Sequence, residues 1–178
     1  QAIIQNMELF QAGTSAFQLP NIFTEQFFQW YAQMGGTGAT LALVILFMTS
    51  KSQYLKQLGK LSFLPGIFNI NEPMIFGAPI VMNPLLAVPF MLVPVVNTII
   101  VYIFTVLNII PKMMVKPPFT VPAPLGALIT TNWNWMACVL VFVCFFVSLA
   151  IYYPFFKLFE KRTLENEKAQ IAEEAAKQ

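Results

Sequence analysis

Long uncharged apolar stretches alternate along this chain with short basic clusters and groups of helix breakers. From Trp30 to Ser50 the chain is uncharged and mostly apolar. The 51 residues between Lys60 and Lys112 contain a single charge, Glu72, and the 40 between Lys116 and Lys157 contain none. A helix needs roughly 20 apolar residues to cross a hydrocarbon core of roughly 30 Å. Each of the two longer runs therefore has room for more than one crossing, or for a crossing and a re-entrant piece. The pattern predicts spans at about 30–50, 85–108 and 134–156. The last is bracketed by Trp133 and Trp135 at one end and Tyr152 and Tyr153 at the other, a spacing that suits two interfacial aromatic belts. Trp30 and Tyr31 mark the start of the first. Ahead of it, Ile3, Ile4, Met7 and Phe10 recur at approximate helical spacing before a breaker cluster from Gly13 to Asn21, which predicts a helix and then a loop.

Between Pro65 and Pro84 lie four prolines, two glycines and three asparagines. Proline removes a backbone donor and clashes with the preceding turn, so a straight helix is excluded there. Lipid cannot satisfy the amide groups that such a break frees, so the segment must be buried in protein or line a polar cavity. The expectation is a re-entrant hairpin over about 61–84. Pro89 and Pro94 then predict a kinked span, Pro111 to Pro124 a proline-rich connector, and Gly35-Gly36-Thr37-Gly38 an irregular start to the first span. After Phe156 the composition turns polar, and Glu173 and Lys177 are spaced for an i,i+4 pair. Residues 157–178 read as a solvated helical tail.

Composition agrees with this pattern. Of 178 residues 57% are hydrophobic and 10% charged, against about 45–50% and about 25% in soluble domains. The fold class expected is an all-α membrane protein, with polytopic transmembrane helices and a Pro/Gly-broken re-entrant hairpin. A net charge of +2 argues against a nucleic-acid partner, and with no histidine and no aspartate the chain suggests neither a metal site nor a cofactor. Cys138 and Cys144 sit within an apolar run without nearby cations and read as packing residues. Lys51, Lys56 and Lys60, with Lys157, Lys161 and Arg162, suit the cytoplasmic side; Lys112 and Lys116 then fall outside, against the positive-inside trend. The start at Gln1 resembles no signal sequence, which suggests a piece of a longer protein.

An ionisable residue inside the membrane costs at least a few kcal/mol and is by default a functional candidate. Glu72 fits that description, and the bland alternative is a structural carboxylate near the membrane surface. Asn69, Asn71 and Glu72 offer amide donors and a carboxylate acceptor within four residues, the set a polyhydroxylated ligand needs. Gly36 and Gly38 allow close backbone approach to a ligand or to the hairpin, or tight helix packing. Trp133 and Trp135 read as interface anchors rather than stacking platforms, beside loop residues Asn132 and Asn134.

The run Asn69-Ile-Asn-Glu-Pro-Met-Ile-Phe-Gly-Ala-Pro79, with Gly35-Gly-Thr-Gly-Ala-Thr-Leu41 and Leu61-Ser-Phe-Leu-Pro-Gly66, resembles the enzyme IIC permease of the phosphoenolpyruvate-dependent sugar phosphotransferase system, lactose/cellobiose/chitobiose branch. The resemblance runs from Leu19 to Phe156 and covers the C-terminal part of such a permease. It implies that residues 1–156 form the C-terminal transport domain and 157–178 a cytoplasmic tail. It also implies a multi-pass protein of the bacterial inner membrane that binds a disaccharide such as cellobiose, lactose or diacetylchitobiose and moves it inward as a IIB component phosphorylates it.

Carried over by position, Glu72 is the motif carboxylate, a sugar ligand with a catalytic role in orienting the reacting hydroxyl; Asn71, Asn69, Gly36 and Gly38 are its companions in substrate binding. The phosphoryl donor is a cysteine on IIB, so whether this component is itself an enzyme stays open. Other implied partners are membrane lipid and, for the full-length protein, a second copy in a homodimer. The family also uses a histidine near the sugar, N-terminal to the part covered here. The loop Lys51 to Lys60 is the candidate docking surface for IIB. A different class, a proton-coupled secondary sugar transporter with Glu72 as proton carrier, stays open as the alternative.

Overall fold

The computed structural model describes residues 1–176, and among these the regular structure is helical throughout, with no β-strand. Helix α1 (Ala2–Gln11) leads through a loop to the short α2 (Glu25–Phe27), where the Thr24 side chain caps the Phe27 N–H, and to a π-helical turn, Phe28–Ala32. Next come α3 (Leu41–Met48), α4 (Gln53–Ile67), α5 (Glu72–Gly77) and a 3₁₀ turn, Ile80–Met82. The long α6 (Pro84–Val106), α7 (Ala123–Thr130) and α8 (Trp135–Ala176) complete the chain. Lys177 of the expected Glu173–Lys177 pair lies outside the described residues.

Among the described residues two helices, α6 and α8, are long and apolar enough to cross a membrane. The 23 residues of α6 rise about 34 Å. It buries Leu86, Val93, Asn97, Val101 and Thr105, positions about one or two turns apart, and leaves Met91, Val95, Ile99, Tyr102 and Val106 exposed. In water an apolar outer face of this kind would drive association; lipid or further apolar protein surface accommodates it. Inside, the Asn97 amide donates to the Ser148 hydroxyl at 3.0 Å and ties α6 to α8.

Helix α8 organises the core. Its first turns pack Ala137, Leu140, Val141 and Cys144 against Phe27, Trp30, Tyr31, Val101 and Ala127, and further along Tyr152 and Phe156 pack against α3, α4 and α6. Trp30 and Tyr31 are thus fully buried, unlike the interfacial marker expected from the sequence, because Gly126 of α7 leaves room for the indole. Tyr152 is buried as well, with its hydroxyl donating to the Gly38 carbonyl at 2.6 Å. Tyr153, Trp133 and Trp135 stay exposed.

The stretch from Trp30 to Ser50 carries helix at both ends but not between Gln33 and Thr40, where four residues take positive φ. Conversely, Lys56 and Lys60 lie on α4 rather than in a loop. Leu55, Leu58, Gly59, Ser62 and Gly66 form its buried stripe, and the lysines face outward. Helices α4 and α5 form the hairpin, with Phe68 to Asn71 at its tip; the Tyr54 hydroxyl donates to the Gly77 carbonyl and fastens the end of α5 to the start of α4.

Both basic groups assigned to the cytoplasmic side meet at one end of the molecule. Glu160 on α8 accepts hydrogen bonds from the Ser50 hydroxyl and the Lys51 N–H, each at 2.7 Å, and from Lys157 at 2.9 Å. Lys112 and Lys116 lie near the start of α8, where Met114 N–H donates to the Thr130 carbonyl.

Candidate functional site

Two segments lose their helix at the same place, Gln33–Thr40 after the π-helical turn and Phe68–Asn71 at the hairpin tip. Each frees backbone groups that lipid could not satisfy, and two asparagines of the hairpin tip serve those of the Gln33–Thr40 bend. The Asn69 side-chain oxygen accepts from the Gly35 N–H at 3.1 Å, and the Asn71 amide donates to the Thr37 carbonyl at 2.8 Å. Gly36 comes so close that a Cβ there would lie 2.5 Å from Asn71 Cγ, and its φ of +97° is itself a glycine conformation.

Beside this crossing opens a cleft of about 550 Å³, lined by Glu25, Phe28, Gln29, Gln33, Gly36, Thr37, Asn69, Asn71, Glu72 and Phe119. Its size falls in the range of small-molecule sites, roughly 300–1,000 Å³. Glu72 is exposed to it, at the start of α5, and among the described residues its carboxylate has no hydrogen-bond or ion-pair partner. Asn71 is 7% exposed; one amide N–H goes to the Thr37 carbonyl, and its side-chain oxygen accepts no hydrogen bond among the described residues.

Asn69 stands differently. It takes the left-handed conformation, φ 62°, which asparagine tolerates, and its amide group donates to the Phe119 and Val121 carbonyls at 2.9 and 3.1 Å. With the Gly35 contact, its side chain joins three segments. Gly38 lies outside the cleft: a Cβ there would collide with the Phe90 ring, and its carbonyl is held by Tyr152.

Several lining residues carry little sequence signal. Gln29 and Gln33, one helical turn apart, were the readable hint. Phe119 belongs to the proline-rich connector, which lies over the cleft because Gln29 donates to the Phe119 carbonyl at 3.1 Å and Lys116 pairs with Glu25 at 2.7 Å. The Lys116 hydrogen bond holds the Glu25 carboxyl below the usual carboxylate range. A second cavity, about 370 Å³, lies on the other side of Asn69, but Leu41, Ile45, Phe63, Val141 and Phe145 make it apolar. Among the described residues no three His, Cys, Asp or Glu side chains come together as a metal site would need. Open acceptors, amides and backbone groups around an accessible carboxylate suit a ligand rich in hydroxyls.

Known proteins resemble this chain in both sequence and fold. Residues 1–94 match the family described as "Phosphotransferase system, EIIC". The chain is 42% identical over 168 residues to the lichenan permease IIC component of Bacillus subtilis, covering 93% of this chain and 36% of the relative. It is 44% identical over 167 residues to the cellobiose-specific EIIC component of Geobacillus stearothermophilus, covering 93% and 37%. The crystal structure of the transporter ChbC, the IIC component from the N,N'-diacetylchitobiose-specific phosphotransferase system, superposes with a TM-score of 0.88 at 42% identity, over 94% of this chain and 38% of that one. The chain thus spans a little over a third of the length of these relatives.

Proposed function

This chain belongs to the phosphotransferase system EIIC family, and from that premise we propose that its polar cleft binds the sugar carried by a disaccharide permease. The full-length protein is a multi-pass homodimer of the bacterial inner membrane that takes up a disaccharide such as cellobiose, lactose or diacetylchitobiose while the IIB component phosphorylates it. The observation that carries this reading is the open carboxylate of Glu72 in a polar cleft of about 550 Å³ within an otherwise apolar helical protein.

Glu72 accepts a hydrogen bond from the sugar hydroxyl that is to react and orients it. As that oxygen bonds to the phosphorus of IIB phosphocysteine and the sulfur–phosphorus bond breaks, Glu72 takes the hydroxyl proton, which is general-base work. The side-chain oxygen of Asn71 accepts from a neighbouring hydroxyl, and Gly36 admits the sugar against backbone. Asn69 lines the same cleft and also holds its wall in place through Gly35, Phe119 and Val121. Gly38 acts from behind, by closing the bend against Phe90 and Tyr152.

Titration of the full-length protein with cellobiose, lactose and diacetylchitobiose tests the reading. Saturable binding of at least one, competed by the others, is expected; no binding of any would refute a disaccharide site.

A further inference from the structure

At the end of the molecule away from the start of α8 lies a second polar cleft, of about 450 Å³, lined by Lys51, Lys157, Glu160, Lys161, Leu164, Glu165 and Lys168. Lys157, Lys161 and Lys168 stand four and seven residues apart and so share one face of α8, and the α3–α4 turn brings Lys51 to them. Glu160 is only 5% exposed and already engaged by Ser50, Lys51 N–H and Lys157. Glu165 is then the one remaining carboxylate lining the cleft beside Lys51, Lys161 and Lys168. None of these three lysines has an ion-pair partner among the described residues.

The position of this cleft along α8 identifies the occupant. Lys157 is the first charge after 40 uncharged residues, and its ammonium lies 5.8 Å from the Tyr153 ring centroid and 5.2 Å from that of Phe156. Tyr153 and Leu158 are both more than half exposed. Aromatic and apolar side chains beside lysines whose ammonium groups reach outward are what the headgroup level of a bilayer selects. We propose that the cleft between Lys51 and the Lys157–Lys168 face of α8 binds the phosphodiester headgroup of an anionic membrane lipid. This rests on reading α8 as a span that leaves the membrane near Phe156. The phosphate lies among the ammonium groups of Lys51, Lys161 and Lys168. The occupant enters sideways from the bilayer, fastened to both α8 and the turn that starts α4.

The test uses full-length protein in detergent, titrated with phosphatidylglycerol or with phosphatidylcholine of the same acyl chains, and native mass spectrometry to read the lipid retained. Wild type should retain phosphatidylglycerol preferentially, less so as salt rises. Replacing Lys51, Lys161 and Lys168 together by Gln should lower that preference on the order of a hundredfold, about fivefold per lysine, and replacing them by Arg should restore it. Equal retention of the two lipids by wild type, or a preference insensitive to salt, overturns the proposal without relying on any variant. So does inorganic phosphate displacing phosphatidylglycerol at comparable concentration, which would mark a site for free phosphate. Lost IIB-dependent phosphoryl transfer with unchanged lipid preference would mark a protein docking surface instead. Disaccharide affinity measured on the same samples separates the two readings, because a wild type that binds no sugar speaks against the permease assignment and not against the lipid site.

Discussion

The side-chain amide of Asn71 donates to the carbonyl of Thr37 at 2.8 Å, so the tip of the hairpin and the glycine-rich bend are fixed to each other one residue before Glu72. Residues 34 positions apart in the chain thereby form one wall of the cleft, and the carboxylate that carries the proposed chemistry stands on a scaffold rather than on a free loop.

Glu72→Gln keeps size and shape but replaces a charged acceptor by an amide. Losing one charge-assisted hydrogen bond costs on the order of 1.5–3 kcal/mol, so disaccharide affinity should fall roughly tenfold to a hundredfold. Phosphoryl transfer at saturating sugar should fall further. Binding isotherms on well-folded full-length variant check this, and wild-type affinity would remove Glu72 from the sugar contacts. Intact exchange of unmodified sugar with lost response to a pH gradient would instead favour the proton-carrier alternative.

Asn69→Ala removes three hydrogen bonds and places alanine at a φ of 62°. Asn69→Gly removes the same bonds without that strain. Both variants should unfold earlier than wild type, with alanine the worse by about 1 kcal/mol, the cost of the left-handed conformation. Thermal unfolding of both in detergent decides it; equal melting points would mean that the backbone relaxes.

At Gly36 an added methyl group has no room, because it would press on the Asn71 amide group. Gly36→Ala should lower disaccharide affinity by tenfold or more, in line with a local strain of about 1–3 kcal/mol. Gly13→Ala is the control: its φ is also positive, but nothing lies within 4 Å of the added atom. Comparable loss of affinity in the two variants would argue against crowding at Asn71.

Burial alone would raise the Glu160 carboxyl, but hydrogen bonds from Lys157, Lys51 N–H and Ser50 outweigh it and hold the group below the usual carboxylate range. A lowered folded value means that its stabilisation is complete above the ordinary carboxylate range and is lost as pH falls through the folded value. Glu160→Gln should therefore lose about 1.5–3 kcal/mol at neutral pH and show a flatter decline than wild type below about pH 5. Parallel melting curves of the two proteins across that pH range would contradict this.

Replacing Lys56 and Lys60 together by Glu reverses the charge on the outer face of α4. If that face receives IIB, phosphoryl transfer should slow while sugar affinity stays near wild type. Equal transfer rates at every ionic strength would take α4 out of the docking surface.

The sequence by itself determined the membrane character, the broken hairpin and two of its three expected spans, α6 and α8, since these follow from local quantities: run length, the absence of charge, and proline's missing donor; the third, about 30–50, is interrupted from Gln33 to Thr40. It also singled out Glu72, because a lone carboxylate in 51 residues is visible without any fold. Tertiary structure decided what each neighbour does. Asn69 and Asn71 are two residues apart and chemically identical, yet one spends every polar atom on Gly35, Phe119 and Val121 while the other keeps an acceptor open to the cleft. Gly36 and Gly38 part in the same way, one against Asn71 and the other against Phe90. Trp30 and Tyr152 moved from expected interface to core because partners far along the chain, Gly126 and Gly38, make room for or bond to them. Which atoms are used up depends on contacts between segments distant in sequence, and hydrophobic pattern and backbone propensity carry no record of those contacts.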